Sequence, residues 1–413
     1  MLRAGALYFA LISAFLIAVI CASLIMVAAY YRDGYLKVLR AERLQRNMES
    51  SIAYVLGRDN SFIEEKNSLF DLLGEGTDSV NCSSSRWGIF ELSMIKAFIS
   101  NDTIKTSFLV GIDTRMDTLA LYLSDEDRPL SVSGDTRLSG DVAAPKSGMR
   151  KSYVENRPYS GDKLVYGKIL ESGRILPALS KELISSLEKE LDRKFSKLAS
   201  LPGQQINAPF LGEKKAFALS PSTTITGKLS GKIALYADST VFISREASLD
   251  NVVIYAQSIV LEEGFKGNCQ LFARDSIIVG DKVVLDYPSV LGLLAKEKMV
   301  DQARIIVGKQ AEISGVIFSY EPNRSPLQTM ISFSENTKVK GEVYATGLVK
   351  LAKGVELIGK TSCNRFVMQT PTTLYENFLV DVKLNRRARD RHYLTSSLFE
   401  VKQGNKGVLK WLK

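Results

Sequence analysis

The residues between Arg3 and Arg32 constrain the fold of this chain more than any others. From Ala4 to Tyr31 no side chain is charged, and most are large and apolar. As a helix rising about 1.5 Å per residue, this stretch exceeds the roughly 30 Å hydrocarbon core of a bilayer. A buried helix of a soluble domain would show a polar face, and none is present here. The sequence therefore predicts a transmembrane helix.

A cleaved secretory signal peptide is the alternative interpretation of the same residues. Met1-Leu2-Arg3 is a short basic start, and Val27-Ala28-Ala29 offers small residues to a peptidase. The apolar core of a signal peptide is only about 7–15 residues long. The greater length found here favours a retained leader and anchor over residues 1–31.

The helical pattern continues beyond the apolar stretch. Residues Tyr30–Leu56 contain no proline, and apolar side chains recur at spacings of four, four and three at Leu44, Met48, Ile52 and Val55. This spacing predicts an amphipathic helix over residues 32–56 that leaves the bilayer.

A single N-terminal helix that is first apolar and then amphipathic resembles the type IV pilins and the pseudopilins of type II secretion. Met1-Leu2-Arg3-Ala4-Gly5 is similar to the short basic leader that a prepilin peptidase removes after glycine. The resemblance, which covers about the first 56 residues, implies processing at Gly5, with Ala6 as the mature N-terminus. Major pilins have glutamate at mature position five, where this chain has Ala10, so a minor subunit of the PilX or K type is implied. An ordinary single-pass anchor is the alternative.

The membrane orientation has two conflicting signals. The anchor is preceded by Arg3 and the amino terminus, and it is followed by five basic residues, Arg32, Lys37, Arg40, Arg43 and Arg46. The positive-inside rule then favours a cytoplasmic body. Acidic residues among these bases can pair with them at neighbouring helical turns, and the pilin resemblance implies the opposite orientation. We expect a single-pass protein of the inner (cytoplasmic) membrane with a periplasmic or extracellular body.

Composition excludes several classes of site. The 413 residues suffice for an anchor and two or more domains, and the net charge of +9 is mild at this length. The cysteines Cys21, Cys82, Cys269 and Cys363 have no metal-ligand spacing, and which of the last three, if any, form a disulfide stays open. With His392 as the only histidine, histidine-based catalysis and metal binding are not expected. No phosphate-binding glycine loop is present, so we expect no cofactor, metal or small-molecule substrate.

The region after the amphipathic helix suggests a small α+β head. Residues 57–130 contain three strand-like segments, Trp87–Ile99, Thr103–Val110 and Thr118–Leu123. Residues 131–222 begin with a segment typical of one β-helix coil, Ser133–Ala143, and continue through a linker to a predicted helix over residues 179–196. In that helix, apolar residues recur at every fourth position.

From residue 223 the sequence repeats. A pattern of aliphatic, aromatic, alanine and polar residues recurs at Leu235-Tyr236-Ala237-Asp238, Ile254-Tyr255-Ala256-Gln257, Leu271-Phe272-Ala273-Arg274 and Val343-Tyr344-Ala345-Thr346. Short repeated strands are typical of a β-solenoid, in which each coil buries its inward residues against the next. We therefore predict a right-handed parallel β-helix over residues 223–374. An antiparallel sandwich, the alternative, would not require the same repeat.

The repeat also predicts which side chains point inward. Small alanines suit a crowded interior, so Ala237, Ala256, Ala273 and Ala345 are expected to form an interior ladder, with the aromatic residues on the opposite face. Within this region we expect Val290–Lys298 to form a helical turn or loop and Tyr320–Gln328 a protruding loop. Lys338–Val343 and Ala311–Val316 resemble coils of the polymer-forming bactofilins.

The tail, residues 375–413, has lost the repeat and is expected to form a basic cap. Its arginine cluster is a candidate for binding phosphate or an acidic partner and consists of Arg386, Arg387, Arg389 and Arg391. A solvated surface is the alternative, and nucleic-acid binding is not expected because no interleaved aromatics accompany the cluster.

These features together predict a non-enzymatic, membrane-anchored assembly protein. It would be a pilin-like subunit whose partners are the membrane and other pilin or pseudopilin subunits or itself, and whose solenoid is presented to a partner. A bactofilin-like scaffold is the second hypothesis. A carbohydrate-active β-helix lyase or hydrolase is the third, and its candidate carboxylates are Glu262, Glu263, Asp275, Asp281 and Asp286.

Overall fold

A computed structural model describes residues 2–58, 68–71, 74, 76, 78–154, 156–195, 197–296, 301–370, 373–400 and 404–412. The chain divides into two compact units. The first contains Met1–Ser84 and Met94–Thr106, and the second contains Ser85–Ser93 and Ser107–Lys413. The body is mostly β, and its largest sheet is a closed parallel one.

Helix α1 (Leu2–Gly57) is continuous over 56 residues, which confirms the long apolar N-terminal helix. Residues 5–43 are exposed apart from three half-buried positions. After them, the face predicted from the sequence becomes buried at Leu44, Met48 and Val55, and Ile52 is half-buried. Burial therefore begins at Leu44, the first position of the predicted apolar face, while the charged turns over residues 32–43 stay largely exposed.

Strands of the first half of the chain are β1 (Ser68–Phe70), β2 (Asp78–Trp87), β3 (Phe90–Ile99), β4 (Asp102–Asp113), β5 (Leu119–Leu123), β6 (Leu130–Ser133), β7 (Arg137–Ser139), β8 (Asp141–Ala144), β9 (Met149–Lys151), β10 (Tyr153–Val154), β11 (Arg157–Pro158) and β12 (Ile169–Glu171). Helix α2 (Lys181–Leu191) follows. Then come β13 (Gln205–Ala208), β14 (Lys215–Ala218), β15 (Thr224–Ile225), β16 (Lys228–Gly231), β17 (Ile233–Tyr236) and β18 (Thr240–Ile243).

Strands of the remaining chain are longer because several turn corners without interruption. They are β19 (Ser248–Leu261), β20 (Lys266–Val279), β21 (Val284–Leu294), β22 (Arg304–Val307), β23 (Glu312–Tyr320), β24 (Met330–Phe333), β25 (Lys338–Leu351), β26 (Glu356–Gln369), β27 (Leu374–Glu376), β28 (Phe378–Val380), β29 (Lys383–Asn385), β30 (Leu394–Thr395) and β31 (Lys406–Leu412).

Strand β19 shows how the closed sheet is built. Along its length it pairs in parallel with β16, then β17, then β18, and on its other edge it pairs with β20. Inward residues of successive strands form one continuous apolar cluster that includes Leu235, Ile254 and Leu271. Each strand thus buries its inward residues against its neighbours, as the repeat predicts.

One set of paired strands carries the repeated residues, and we call it the aromatic–alanine ladder. Its order is β14, β17, β19, β20, β21, β23, β25, β26, β5, β8 and β12. Chain order and ladder order differ, because β5, β8 and β12 come first in the sequence but extend the ladder beyond β26. The coil predicted at Ser133–Ala143 includes most of β8. It therefore stacks beyond the last repeats, at the β26 end of the ladder, and not before the first repeat.

Three segments differ from their expected structures. Residues 290–294, expected in a helical turn or loop, belong to β21, because their apolar side chains are buried in the ladder. The strand expected at Thr118–Leu123 in the small head is β5, which pairs with β26. Helix α2 is shorter than the expected 179–196, since Ser180 caps its start and Asp192 ends it.

The tail is more structured than a solvated cap. Strand β29 pairs with β26 and β7 and so extends a ladder of the closed sheet. Strands β30 and β31 pair antiparallel with the part of β4 that belongs to the second unit. Loss of the repeat in this tail therefore does not mean loss of strand pairing.

Candidate functional surfaces

The exposed part of α1 is the first candidate surface. In the part of the chain that the structure describes, α1 is the one helix long and apolar enough to span a membrane, with a mean hydropathy of 2.8 in its 18-residue window. Exposed tyrosines lie near both ends of the apolar stretch, at Tyr8, Tyr30, Tyr31 and Tyr35. Tyr8 and Tyr31 are 23 positions apart (31 − 8), or about 35 Å along a helix. Tyrosines prefer the membrane–water interface, so this spacing fits a bilayer.

The proposed processing site lies within this helix. Gly5 and Ala6 are exposed, and a Cβ added to Gly5 would meet no atom within 4 Å. No described atom outside the local helix backbone therefore packs against Gly5, and the peptide bond to Ala6 lies inside the continuous helix. Cleavage after Gly5 stays a prediction.

Polar contacts hold the second part of α1 within the first unit. Asn47 Nδ2 donates a hydrogen bond to Asp78 Oδ2 at 2.7 Å, and Ser51 Oγ donates to the Asn47 carbonyl at 2.5 Å. Arg40, one of the bases that follow the anchor, forms an ion pair with Asp102 at 3.4 Å. The buried Asn47–Asp78 hydrogen bond joins the helix to another segment of the unit near residue 44, whereas the Ser51 hydrogen bond lies within the helix and the Arg40–Asp102 pair is partly exposed.

The four alanines singled out by the repeat are all buried. Ala237, Ala256, Ala273 and Ala345 belong to the inward apolar cluster. Ala256 and Ala273 are direct ladder partners, and Cys363 pairs with Ala345 in the same column. Burial raises the pKa of the Cys363 thiol well above its usual value.

The aromatic residues of the repeat point outward but are not exposed. Tyr236, Tyr255 and Phe272 stack with ring centroids 5.3 Å apart at each step. Helix α2 covers them with three buried side chains of the same cluster, Leu183, Ile184 and Leu187. The aromatic row is therefore a second core between α2 and the ladder, which leaves it no free binding face along α2.

A glycine replaces the aromatic residue in one strand of the ladder. Gly292 lies between Phe272 and Phe318 in register, and a Cβ there would come within 2.6 Å of both rings. The two rings approach each other to 6.4 Å across it. The repeat in β21 was missed because its aromatic position holds glycine and its alanine position holds Leu293.

The four clustered arginines separate into two buried and two exposed side chains. Arg386 donates to the carbonyls of Thr114 and Asp117, and Arg389 donates to Thr114 as well. Arg387 and Arg391 are exposed. The cluster is thus partly a structural attachment of the tail and partly a surface.

A buried carboxylate that the sequence analysis missed lies beneath these arginines. Glu342 is 5% exposed, and its Oε1 lies 3.7 Å from Arg386 Nη1 and 3.5 Å from Arg389 Nη1. Burial raises the pKa of Glu342, and the positive charges of Arg386, Lys360 and Arg389 oppose that rise. The sequence does contain a signal for Glu342. The equivalent outward position holds valine in β21 and β23, so a glutamate in β25 departs from an otherwise apolar position.

The carboxylates proposed for an enzyme are dispersed: Glu262, Glu263 and Asp281 follow strand ends, whereas Asp275 lies within β20 and Asp286 within β21. Glu262 accepts from the Arg245 backbone N–H, Glu263 pairs with Lys282, and Asp281 accepts from the Lys309 N–H. Asp275 accepts from the Gln257 amide, and the carbonyl of Asp286 accepts from the Asn268 amide. Among the described residues there is no group of three or more potential metal ligands. All four cysteines are free thiols.

The chain was compared with protein families, curated proteins and solved structures. No family model matches the chain, and no curated protein matches it. Among solved structures, the competence-associated pilin ComZ from Thermus thermophilus aligns over 91% of this chain and 97% of its own. The identity is 10% and the TM-score 0.26, so this similarity carries no argument about the present chain.

Proposed function

We propose that this protein is a non-enzymatic, membrane-anchored assembly protein, a minor pilin-like or pseudopilin-like subunit of a type IV pilus or a type II secretion-like apparatus. The observation that supports the proposal is the continuous helix α1. Its residues 5–43 are largely exposed, while the turns that follow pack within the first unit. A helix of this kind can cross the bilayer and still hold a folded body outside it.

In this proposal the two parts of the chain have separate tasks. The bare part of α1 anchors the subunit and, after removal of residues 1–5, lies beside the helices of other subunits. The closed parallel sheet is a right-handed β-helix that presents a rigid surface to a partner. The periplasmic or extracellular side of the inner membrane is the proposed location of the body.

Processing at Gly5 is the direct test of the pilin-like assignment. The full chain would be purified from membranes of cells with an active prepilin peptidase, and its N-terminus sequenced. We expect wild type to begin at Ala6 and Gly5→Leu to retain Met1. Gly34→Leu is the matched control, because an added Cβ at Gly34 also meets nothing within 4 Å on α1. An intact Met1 in the wild type would leave only a plain anchor.

A second candidate function, self-association as a bactofilin-like scaffold, has one observation in its favour. The last strand of the aromatic–alanine ladder, β12, pairs with β8 and with no other described strand, and its Ile169 and Leu170 are 55% and 45% exposed. An apolar unpaired edge of this kind can add another strand. Leu170→Lys should abolish self-association in sedimentation measurements if this candidate is right, while Leu374→Lys at another exposed leucine should not.

A further inference from the structure

We propose that a cleft beside the tail, here called the arginine cleft, binds a phosphate group. The cleft has a volume of about 390 Å³, and its walls include five arginines, Arg115, Arg386, Arg387, Arg389 and Arg391. No lysine lines it among the described residues, although lysine is common elsewhere in this chain. This proposal is independent of whether Gly5 is processed.

The inner wall of the arginine cleft is rigid and positive. Arg386 and Arg389 are held by the carbonyls of Thr114 and Asp117, with Glu342 as their one buried acidic neighbour. The half-buried Asp117 carboxylate also acts on both arginines, but it is itself paired with Lys360. The two arginines and Lys360 therefore outnumber the two carboxylates in a place where charges are weakly screened. The wall therefore attracts anions without requiring either arginine to move.

The acidic residues of the cleft are already engaged. Asp117 forms an ion pair with Lys360 at 2.8 Å, and Asp390 accepts from the His392 backbone N–H. Asp141 accepts from the Lys168 N–H and the Thr118 hydroxyl, and these hydrogen bonds lower the pKa of its carboxyl. None of the three aspartates forms an ion pair with an arginine of the cleft in the described part of the chain.

Two arginines remain to contact a ligand. Arg115 pairs with Asp113 at 2.6 Å, but Arg387 and Arg391 are exposed and have no ion-pair partner within 4 Å among the described residues. Guanidinium groups donate two parallel hydrogen bonds to phosphate or carboxylate oxygens, which an ammonium group does not. A phosphate presents three acceptor oxygens, which can accept hydrogen bonds from the guanidinium groups of Arg387 and Arg391 at the same time.

The volume sets the size of the ligand. Small-molecule sites span roughly 300–1,000 Å³, so the arginine cleft is at the lower end of that range. A phosphate with a small attached group fits it better than an extended polymer. A soluble phosphate ester and the headgroup of an anionic lipid share this chemistry, and the experiment separates them.

Isothermal titration calorimetry on the full chain in neutral detergent tests the proposal, with pyrophosphate, glucose 6-phosphate and glycerophosphoglycerol as probes. We expect binding of at least one probe, weakened roughly tenfold or more when Arg387→Ala and Arg391→Ala are combined. Tighter binding of glucose 6-phosphate would assign a soluble ester, and tighter binding of glycerophosphoglycerol a lipid headgroup. Both results support the site.

The controls separate a shaped site from general positive charge. Arg304→Ala removes an exposed arginine away from the cleft and should leave the affinity unchanged. The double variant Arg387→Lys with Arg391→Lys keeps both positive charges but removes the paired N–H donors of the guanidinium groups, and should weaken binding severalfold. Unaltered melting temperatures would exclude misfolding. The proposal is overturned if no probe binds, or if Arg304→Ala weakens binding as much as the double variant does.

Discussion

Tyr255→Ala tests whether the aromatic row is a core rather than a surface. Tyr255 is 5% exposed and lies between the rings of Tyr236 and Phe272, beneath α2. An aromatic row on an open outer face would tolerate truncation better than the interior tolerates a larger side chain at the neighbouring Ala256. Because α2 covers this row, we expect the larger effect at Tyr255.

The magnitude follows from what is removed. Truncating a buried aromatic residue to alanine costs about 3–5 kcal/mol, and each lost ring stack accounts for about 0.5–1.5 kcal/mol of that. Ala256→Leu adds three carbons to the inward cluster and should cost about 1–3 kcal/mol by overpacking. Tyr153→Ala, at a tyrosine that is 65% exposed, is the matched control and should cost close to nothing.

Thermal unfolding of the full chain in detergent, at one scan rate for all variants, would measure these differences. At about 2–4 °C per kcal/mol, a cost of about 3–5 kcal/mol for Tyr255→Ala should lower the melting temperature by roughly 6–20 °C, and Ala256→Leu should lower it by less. A melting temperature of Tyr255→Ala within about 1 °C of that of Tyr153→Ala would be far too small a change for the loss of a buried aromatic side chain. That result would show that α2 does not cover the aromatic row, and it would refute our assignment of a second core.

Three further predictions concern orientation, the buried carboxylate and a thiol. A reporter active only in the cytoplasm and fused after Lys413 should be silent, whereas activity would place the body inside and favour the scaffold function. Because burial outweighs the arginine charges and leaves the pKa of Glu342 raised, its ionised form costs folding free energy, so Glu342→Gln should melt at or above the wild-type temperature at pH 7; a clearly lower melting temperature would contradict this. Burial raises the pKa of the Cys269 thiol to about 12, so alkylation at pH 8 should be far slower in the folded chain than in denaturant, and equal rates would show that the thiol is accessible.

Local periodicity was sufficient to predict the elements with regular spacing. The spacing of Leu44, Met48, Ile52 and Val55 predicted which face of α1 would be buried, although burial begins at residue 44 and not near residue 32, where the apolar stretch ends. The repeated pattern predicted a mostly β body, although several strands turn corners without interruption and are longer than the repeat indicated. In both cases the burial of a residue depends on neighbours at fixed spacing in the sequence.

Residues whose environment depends on distant segments could not be predicted. Arg386 was expected at the surface, either in a partner-binding cluster or in a solvated cap, but it is buried against Thr114 and Asp117, some 270 positions earlier, and no local pattern predicts such a pairing. In the sequence, Gly292 interrupts the repeat. In the structure, the rings of Phe272 and Phe318 occupy the space that a side chain at this position would need. The side on which a coil stacks is likewise absent from its own sequence, because either edge of a strand offers the same backbone groups.

The placement of β5 next to β26 has a consequence for the order in which the protein can mature. Leu121 pairs with Thr361, 240 positions later (361 − 121). At about 5–20 residues per second, the ribosome needs roughly 10–50 s to make the intervening chain. During that interval residues 119–171 have been translated, yet the strand on which they complete the ladder does not exist. Exposed strand edges in this state invite aggregation, so a nascent chain that stalls before Glu356 should require a chaperone or be degraded.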